Sequence, residues 1–176
     1  RGVSYCPVCD GPLFKGKRVV VVGGGNSAVS TALYLSNLAS EVVLIHRRDK
    51  LRADPLLVER LGGKVRILWN RVVEGIEGER RVAKVRLKEV GTERKEEVET
   101  DGVFVMVGEE PNSELAKKAG IKTDEAGYIV VDRRQRTSLE GIYAAGDVTD
   151  FPVKQVVSAV AQGMVAALEA RSFLRA

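Results

Sequence analysis

Lys17-Arg18-Val19-Val20-Val21-Val22-Gly23-Gly24-Gly25-Asn26-Ser27-Ala28 sets the architecture of this chain. Its valines leave no alternating polar side, the pattern of a strand covered on both faces of a parallel sheet. The glycines follow at once, and Asn26 to Ala39 then reads as a helix with Ala28, Ala32, Leu35 and Leu38 near one face. Strand, glycine turn and helix in that order make a dinucleotide fingerprint. Gly23 supplies the tight turn, Gly25 lets the backbone approach a pyrophosphate, and Ala28 keeps the helix close to the sheet. The helix N-terminus faces the negative charge, and Gly24, Asn26 and Ser27 complete the candidate contact set. A glycine-rich connection without a ligand is the competing explanation. The expected fold class is α/β with a parallel Rossmann-type core.

Downstream, the strand Glu41 to Ile45 ends roughly 20 residues beyond the glycines, where an NAD site would place an acidic residue against the ribose hydroxyls. This chain has His46-Arg47-Arg48-Asp49-Lys50-Leu51-Arg52 there. Guanidinium groups suit a 2′-phosphate, because their planar fork makes paired charge-assisted bonds to its oxygens. Arg47, Arg48 and Arg52 therefore point to NADPH, although a basic strand end can also be plain solvated surface. His46 reads more readily as a packing or hydrogen-bonding residue than as a catalyst. Further on, a helix is expected near Asp54 to Leu61 and a strand at Val65 to Trp69. Strands near Val72 to Ile76, Val82 to Glu89 and Glu97 to Val107 alternate as a small antiparallel layer would.

Upstream lie the only two cysteines, in Cys6-Pro7-Val8-Cys9-Asp10. Two cysteines exclude a multi-bridge secreted framework. Zinc would need four ligands, and His46 is the only further imidazole or thiol. A structural disulfide across so short a loop removes little entropy from the unfolded chain. A reactive dithiol fits better: one thiolate attacks a substrate disulfide and the other resolves the mixed disulfide. Asp10 is either an acid that protonates a leaving thiolate or the turn residue of Asp10-Gly11-Pro12.

The 176 residues suffice for one full core or for a domain plus part of another. Hydrophobic residues at 44% and charged ones at 30% describe a globular protein, without an apolar run long enough to span a bilayer. The 28 basic and 24 acidic residues are interleaved, so the net charge of +4 is no nucleic-acid footprint. With Arg1 first and no signal-peptide pattern, the chain reads as a cytoplasmic fragment.

Together these motifs resemble the low-molecular-weight thioredoxin reductase family, with the flavoprotein subunit of alkyl hydroperoxide reductase closely similar. The likeness includes Cys6 to Asp10, Gly23 to Ala28, Ala32-Leu33-Tyr34-Leu35-Ser36-Asn37, and His46-Arg47-Arg48 with Arg52. It continues through Gly108-x-x-Pro111-Asn112 and Gly141-Ile142-Tyr143-Ala144-Ala145-Gly146-Asp147. The resemblance implies that Cys9 lies nearer a flavin, that Cys6 attacks the protein substrate and that Asp10 serves as acid. It implies that the glycines, His46 and the arginines hold NADPH, with Gly108 in the same cofactor set. Gly146 and Asp147 would meet the FAD ribityl chain, and Lys154, Gln155 and Val156 the flavin ring. Gly146-Asp147 is otherwise an ordinary strand-to-helix turn.

The family splits its FAD domain around the NADPH domain. By that pattern residues 1–136 form the redox-cysteine segment and NADPH-binding domain, and 137–176 form the C-terminal part of the FAD domain. The first FAD segment is absent from these 176 residues, so the chain alone is expected to be inactive and to retain no FAD. The expected partner is thioredoxin or a thioredoxin-like protein, and full-length members would be homodimers. A peroxiredoxin-reducing subunit and a non-catalytic NADPH-binding module are the alternatives, the arginines arguing against the first.

Overall fold

The computed structural model describes residues 1–175, so Ala176, the last residue of the expected second segment, lies outside the described residues. The chain runs β1 (Val3–Ser4), α1 (Pro7–Asp10), a 3-10 turn at Gly11–Phe14, β2 (Arg18–Gly23), α2 (Asn26–Leu35), β3 (Glu41–Ile45), α3 (Pro55–Leu61) and β4 (Arg66–Leu68). Next come β5 (Arg71–Glu77), β6 (Lys84–Glu89), β7 (Lys95–Glu99), β8 (Gly102–Met106), α4 (Glu114–Lys118) and α5 (Val156–Phe173).

Five strands form a wholly parallel sheet in the order β1-β8-β2-β3-β4, and β5-β6-β7 form an antiparallel one. The valine run works on both faces of the parallel sheet. Val19 and Val21 pack with Ala28, Val29, Ala32 and Leu35 of α2. Val20 packs with Val43 and Val103, and with Val85 and Leu87 of the antiparallel layer. Each buried valine contributes about 1.5 to 3 kcal/mol relative to exposure, which is why the run tolerates no polar residue. Val22 stands in register with Ile45 and Val105, so β2, β3 and β8 all finish at one level.

Two boundaries differ from the periodicity. Helix α2 ends at Leu35, short of Ala39, because the side chains of Ser36 and Asn37 both donate to the Leu33 carbonyl (2.8 and 3.0 Å) and compete with the helical ladder. The strand expected over Glu97 to Val107 is two strands in different sheets. Thr100 and Asp101 make the crossing: the Thr100 hydroxyl donates to the Gly102 carbonyl (2.8 Å), and the Asp101 carboxylate accepts the Arg18 backbone N–H (2.9 Å). Thr100 is buried with these bonds made, so the passage leaves no polar group unpaired.

The chain divides into two compact units, Arg1–Gly108 and Glu109–Ala176. The division falls earlier than the 136/137 boundary read from the motifs. Residues 109–136 belong to the second unit because Ala116, Ile121 and Ile129 form a core with Val131, Ala144 and Val148. Ile129 bridges to Thr149, and Arg136 to Tyr143. In the second unit α5 buries Gln162, whose Oε1 accepts the Gly146 N–H (2.7 Å), while Val156, Val157, Val160, Met164 and Leu168 are exposed.

Candidate functional site

At the C-terminal ends of β2, β3 and β8 a cavity of about 370 Å³ opens in the first unit. Ligands of open α/β sheets bind at that end of the strands, and the volume lies in the range of small-molecule sites. Gly23, Gly24, Gly25, Ser27, His46, Arg47, Arg52 and Gly108, all picked out in the sequence, line it.

The glycine turn has three different reasons for being glycine. Gly23 has φ +151°, and a Cβ there would meet the Met106 carbonyl oxygen at 2.3 Å and the Ala28 Cβ at 2.7 Å, so turn and helix can close only without a side chain. A Cβ on Gly24 would stand 2.1 Å from His46 Cε1. Around Gly25 nothing lies within 4 Å of such an atom. That open backbone at the N-cap of α2 is what close approach of a phosphate requires.

His46 is buried at 5% exposure. Its Nε2 is 3.0 Å from the Lys50 carbonyl, and its ring stands edge-on to Trp69 at 6.3 Å. Arg52 donates its backbone N–H to the Gly24 carbonyl (2.7 Å). The basic loop is thereby folded onto the glycine turn, with Arg47 and Arg52 exposed at the cavity.

Three members of the sequence set are placed otherwise. Arg48 is exposed but is not part of the cavity wall. Asn26 accepts the Asp54 N–H (2.8 Å), tying α3 to the turn. Ala28 is wholly buried against the sheet, as its packing role requires.

The sequence marks β5 as a strand but not as part of the site. Arg71, Val72 and Val73 line the cavity, brought there by the antiparallel layer, and no local motif marks them. The Arg71 guanidinium is bonded to Glu96 (2.5 Å) and Glu89 (2.7 Å), and these bonds, Glu96 first, raise its pKa further. Met106 and Val107, also in the wall, could have been found as the end of a parallel strand.

Cys6 and Cys9 are joined as a disulfide across α1, with Cα atoms 5.3 Å apart. Cys6 is the N-cap and its Sγ accepts the Cys9 N–H (3.2 Å). Cys9 is the more exposed of the two. Among the described residues no group of His, Cys, Asp and Glu could hold a metal ion. The Asp10 carboxylate accepts a 2.7 Å bond from the hydroxyl of Ser4, a residue no sequence motif singled out.

The remaining candidates lie in the second unit. Gly146 adopts φ +83° and Asp147 beside it is exposed. Lys154 donates to the Thr149 carbonyl and lies 4.0 Å over the Tyr128 ring. Gln155 is the N-cap of α5, its side chain accepting the Ser158 N–H, and Val156 opens that helix at 81% exposure.

Residues 1–163 match the family model described as pyridine nucleotide-disulphide oxidoreductase. The chain belongs to that family. Among pyridine nucleotide-disulphide oxidoreductases it is similar to a thioredoxin reductase of Bacillus subtilis, 46% identical over 99% of this chain and 56% of the relative. It is similar also to one of Coxiella burnetii, 44% identical over 99% of this chain and 58% of the relative. The crystal structure of a Streptococcus pyogenes thioredoxin reductase superposes with a TM-score of 0.89 at 40% identity, covering 99% of this chain and 58% of that one. The chain thus spans a little over half the length of the curated relatives it matches. No helix among the described residues is long and apolar enough to cross a membrane.

Proposed function

We propose that this chain is the nucleotide-binding and dithiol-carrying portion of an NADPH-dependent FAD flavoprotein disulfide reductase whose electron acceptor is thioredoxin or a thioredoxin-like protein. One observation carries the reading: a single compact unit holds both a Cys6–Cys9 disulfide and a cavity walled by an open glycine turn and by Arg47, Arg52 and Arg71. The names of the relatives supply the protein acceptor.

The residues of the first unit fit a pyridine nucleotide. Gly25 leaves its backbone open to a pyrophosphate, and Arg47 and Arg52 would take the 2′-phosphate. In the second unit the exposed Asp147 and the first turn of α5 at Gln155 and Val156 would meet the flavin. When bound, NADPH supplies an electron pair as hydride and FAD links that transfer to disulfide chemistry.

Two electrons delivered to the Cys6–Cys9 bond break it and leave two sulfurs, which take up protons to the extent their pKa values allow. The Cys6 thiolate then attacks one sulfur of the acceptor disulfide, forming a mixed disulfide and expelling a thiolate that Asp10 protonates. Cys9, as thiolate, attacks Cys6 and expels the second acceptor sulfur. The net change is one disulfide re-formed and two acceptor thiols made. Homodimeric assembly and a cytoplasmic setting go with this reading, since a reducing compartment suits a dithiol that must cycle.

The test uses the 176-residue chain. NADPH should bind more tightly than NADH, and the Cys6–Cys9 pair should titrate reversibly, with a midpoint at roughly −300 to −200 mV. Trp69, the sole tryptophan, reports binding through its fluorescence. Equal affinity for the two nucleotides would reject the NADPH assignment. Thiols that do not cycle would reject the dithiol role and leave a nucleotide-binding module.

A further inference from the structure

Ser4 occupies a position that its sequence context does not explain. It is a hydroxyl on an edge strand of two residues, yet it is 4% exposed. β1 holds it in parallel register with Phe104 of β8, through Val3 opposite Val103 and Ser4 opposite Phe104. Its backbone is therefore fixed by the core sheet and not by the adjoining cysteine turn. Its Oγ accepts the Cys6 N–H (3.1 Å) and stands 2.7 Å from Asp10 Oδ2 and 3.3 Å from the Cys6 carbonyl. A hydroxyl has one proton. The contact to Asp10 is the shorter of the two, so the proton goes to Asp10.

The result is a brace with three fixed points: the sheet, the backbone of Cys6 and the carboxylate next to Cys9. Asp10 also donates its own N–H to the Cys6 carbonyl (3.1 Å). Both ends of the cysteine turn are thereby referred to one buried oxygen. Serine hydroxyls buried in this way cost desolvation unless their bonds are made. A bland space-filling role would have been served as well by alanine.

We propose that Ser4 is a positioning residue for proton delivery at the dithiol: it holds the Asp10 carboxyl group in the orientation from which a leaving thiolate is protonated. The inference rests on the disulfide-exchange reading of Cys6 and Cys9 given above. In the step concerned, the Cys6 thiolate forms a bond to one sulfur of a disulfide. The bond between the two substrate sulfurs breaks, the electron pair leaves with the second sulfur, and the proton of the Asp10 carboxylic acid passes to it. Asp10 regains a proton from solvent, and Ser4 gains and loses nothing. Its oxygen serves as acceptor towards the protonated carboxyl and as donor towards the carboxylate, so one fixed atom orients both forms.

Such a role has a signature that a loss of packing does not. A thiol leaving group of low pKa departs without help, whereas an alkyl thiol departs faster when protonated. The reduced 176-residue chain should be mixed with an aryl disulfide, 5,5′-dithiobis(2-nitrobenzoate), and separately with an alkyl one, bis(2-hydroxyethyl) disulfide. Ser4→Ala should slow exchange with the alkyl disulfide about tenfold, within the range of general acid catalysis, and change the aryl rate by less than about twofold. Asp10→Asn should show the same selectivity. Ser4→Thr, which keeps the hydroxyl, should restore the alkyl rate, and Ser4→Ala should add nothing in an Asp10→Asn background.

Equal slowing of both disulfides by Ser4→Ala, or an alkyl rate in Ser4→Ala matching the unmutated chain while Asp10→Asn is slow, would overturn the positioning role. If the unmutated reduced chain failed to exchange with either reagent, the disulfide reductase reading itself would be at fault, and the inference would fall with it.

Discussion

Where a side chain at Gly24 would begin, the ring of His46 already stands, 2.1 Å from the Cβ position. That ring is buried, bonded to the Lys50 carbonyl and set against Trp69, so it has nowhere to retreat. Gly24→Ala should cost about 1 to 3 kcal/mol, as overpacking does, and weaken nucleotide binding by lifting the basic loop off the turn. Thermal unfolding and Trp69 fluorescence would read the two effects together. For Arg47 and Arg52 the expectation is one of specificity. A charge-assisted bond is worth about 1.5 to 3 kcal/mol, so Arg47→Ala with Arg52→Ala should lower the preference for NADPH over NADH at least tenfold, by calorimetry. Arg48→Ala should change the preference by less than about threefold, since Arg48 is outside the cavity wall and no such bond is lost. At this scale the sequence named the chemistry but could not rank three neighbouring arginines, because which of them faces the cavity depends on how residues 46–52 fold back onto Gly24.

Among the elements, the antiparallel sheet carries the clearest dependence on conditions. Glu89 at the end of β6 is held below its ordinary pKa, first by the Thr92 hydroxyl at 3.0 Å and then by Arg71, against the opposing cost of burial. A folded-state value below the unfolded one gives stability that is present above the ordinary glutamate range and lost as pH falls through the folded value. The melting temperature should therefore drop on acidification below about pH 4, and Thr92→Val should shrink that drop. A Thr92→Val chain with an unchanged acid profile would count against this bond. The split of Glu97 to Val107 into β7 and β8 is the element that the periodicity missed. The bond of Thr100 to the Gly102 carbonyl and that of Asp101 to the Arg18 backbone mark the corner.

For the molecule as a whole, the cavity and the disulfide both lie within residues 1–108. A polypeptide of those residues alone should fold and bind NADPH with an affinity within about threefold of the full 176 residues, a difference under about 0.7 kcal/mol. Titration of both chains by Trp69 fluorescence would decide it, and a tenfold loss would mean that residues 109–175 support the site. The sequence by itself determined the parallel sheet, the glycine turn with its helix, the cysteine pair and the basic strand end. These are local patterns in which neighbouring residues must satisfy one backbone geometry, and a valine run or a glycine at φ +151° admits few others. Tertiary structure alone decided that β5 walls the cavity, that residues 109–136 pack with the second unit, and that Ser4 meets Asp10. Those depend on which distant surfaces exclude water from each other. Many sequences satisfy that constraint equally well, so no single residue announces it.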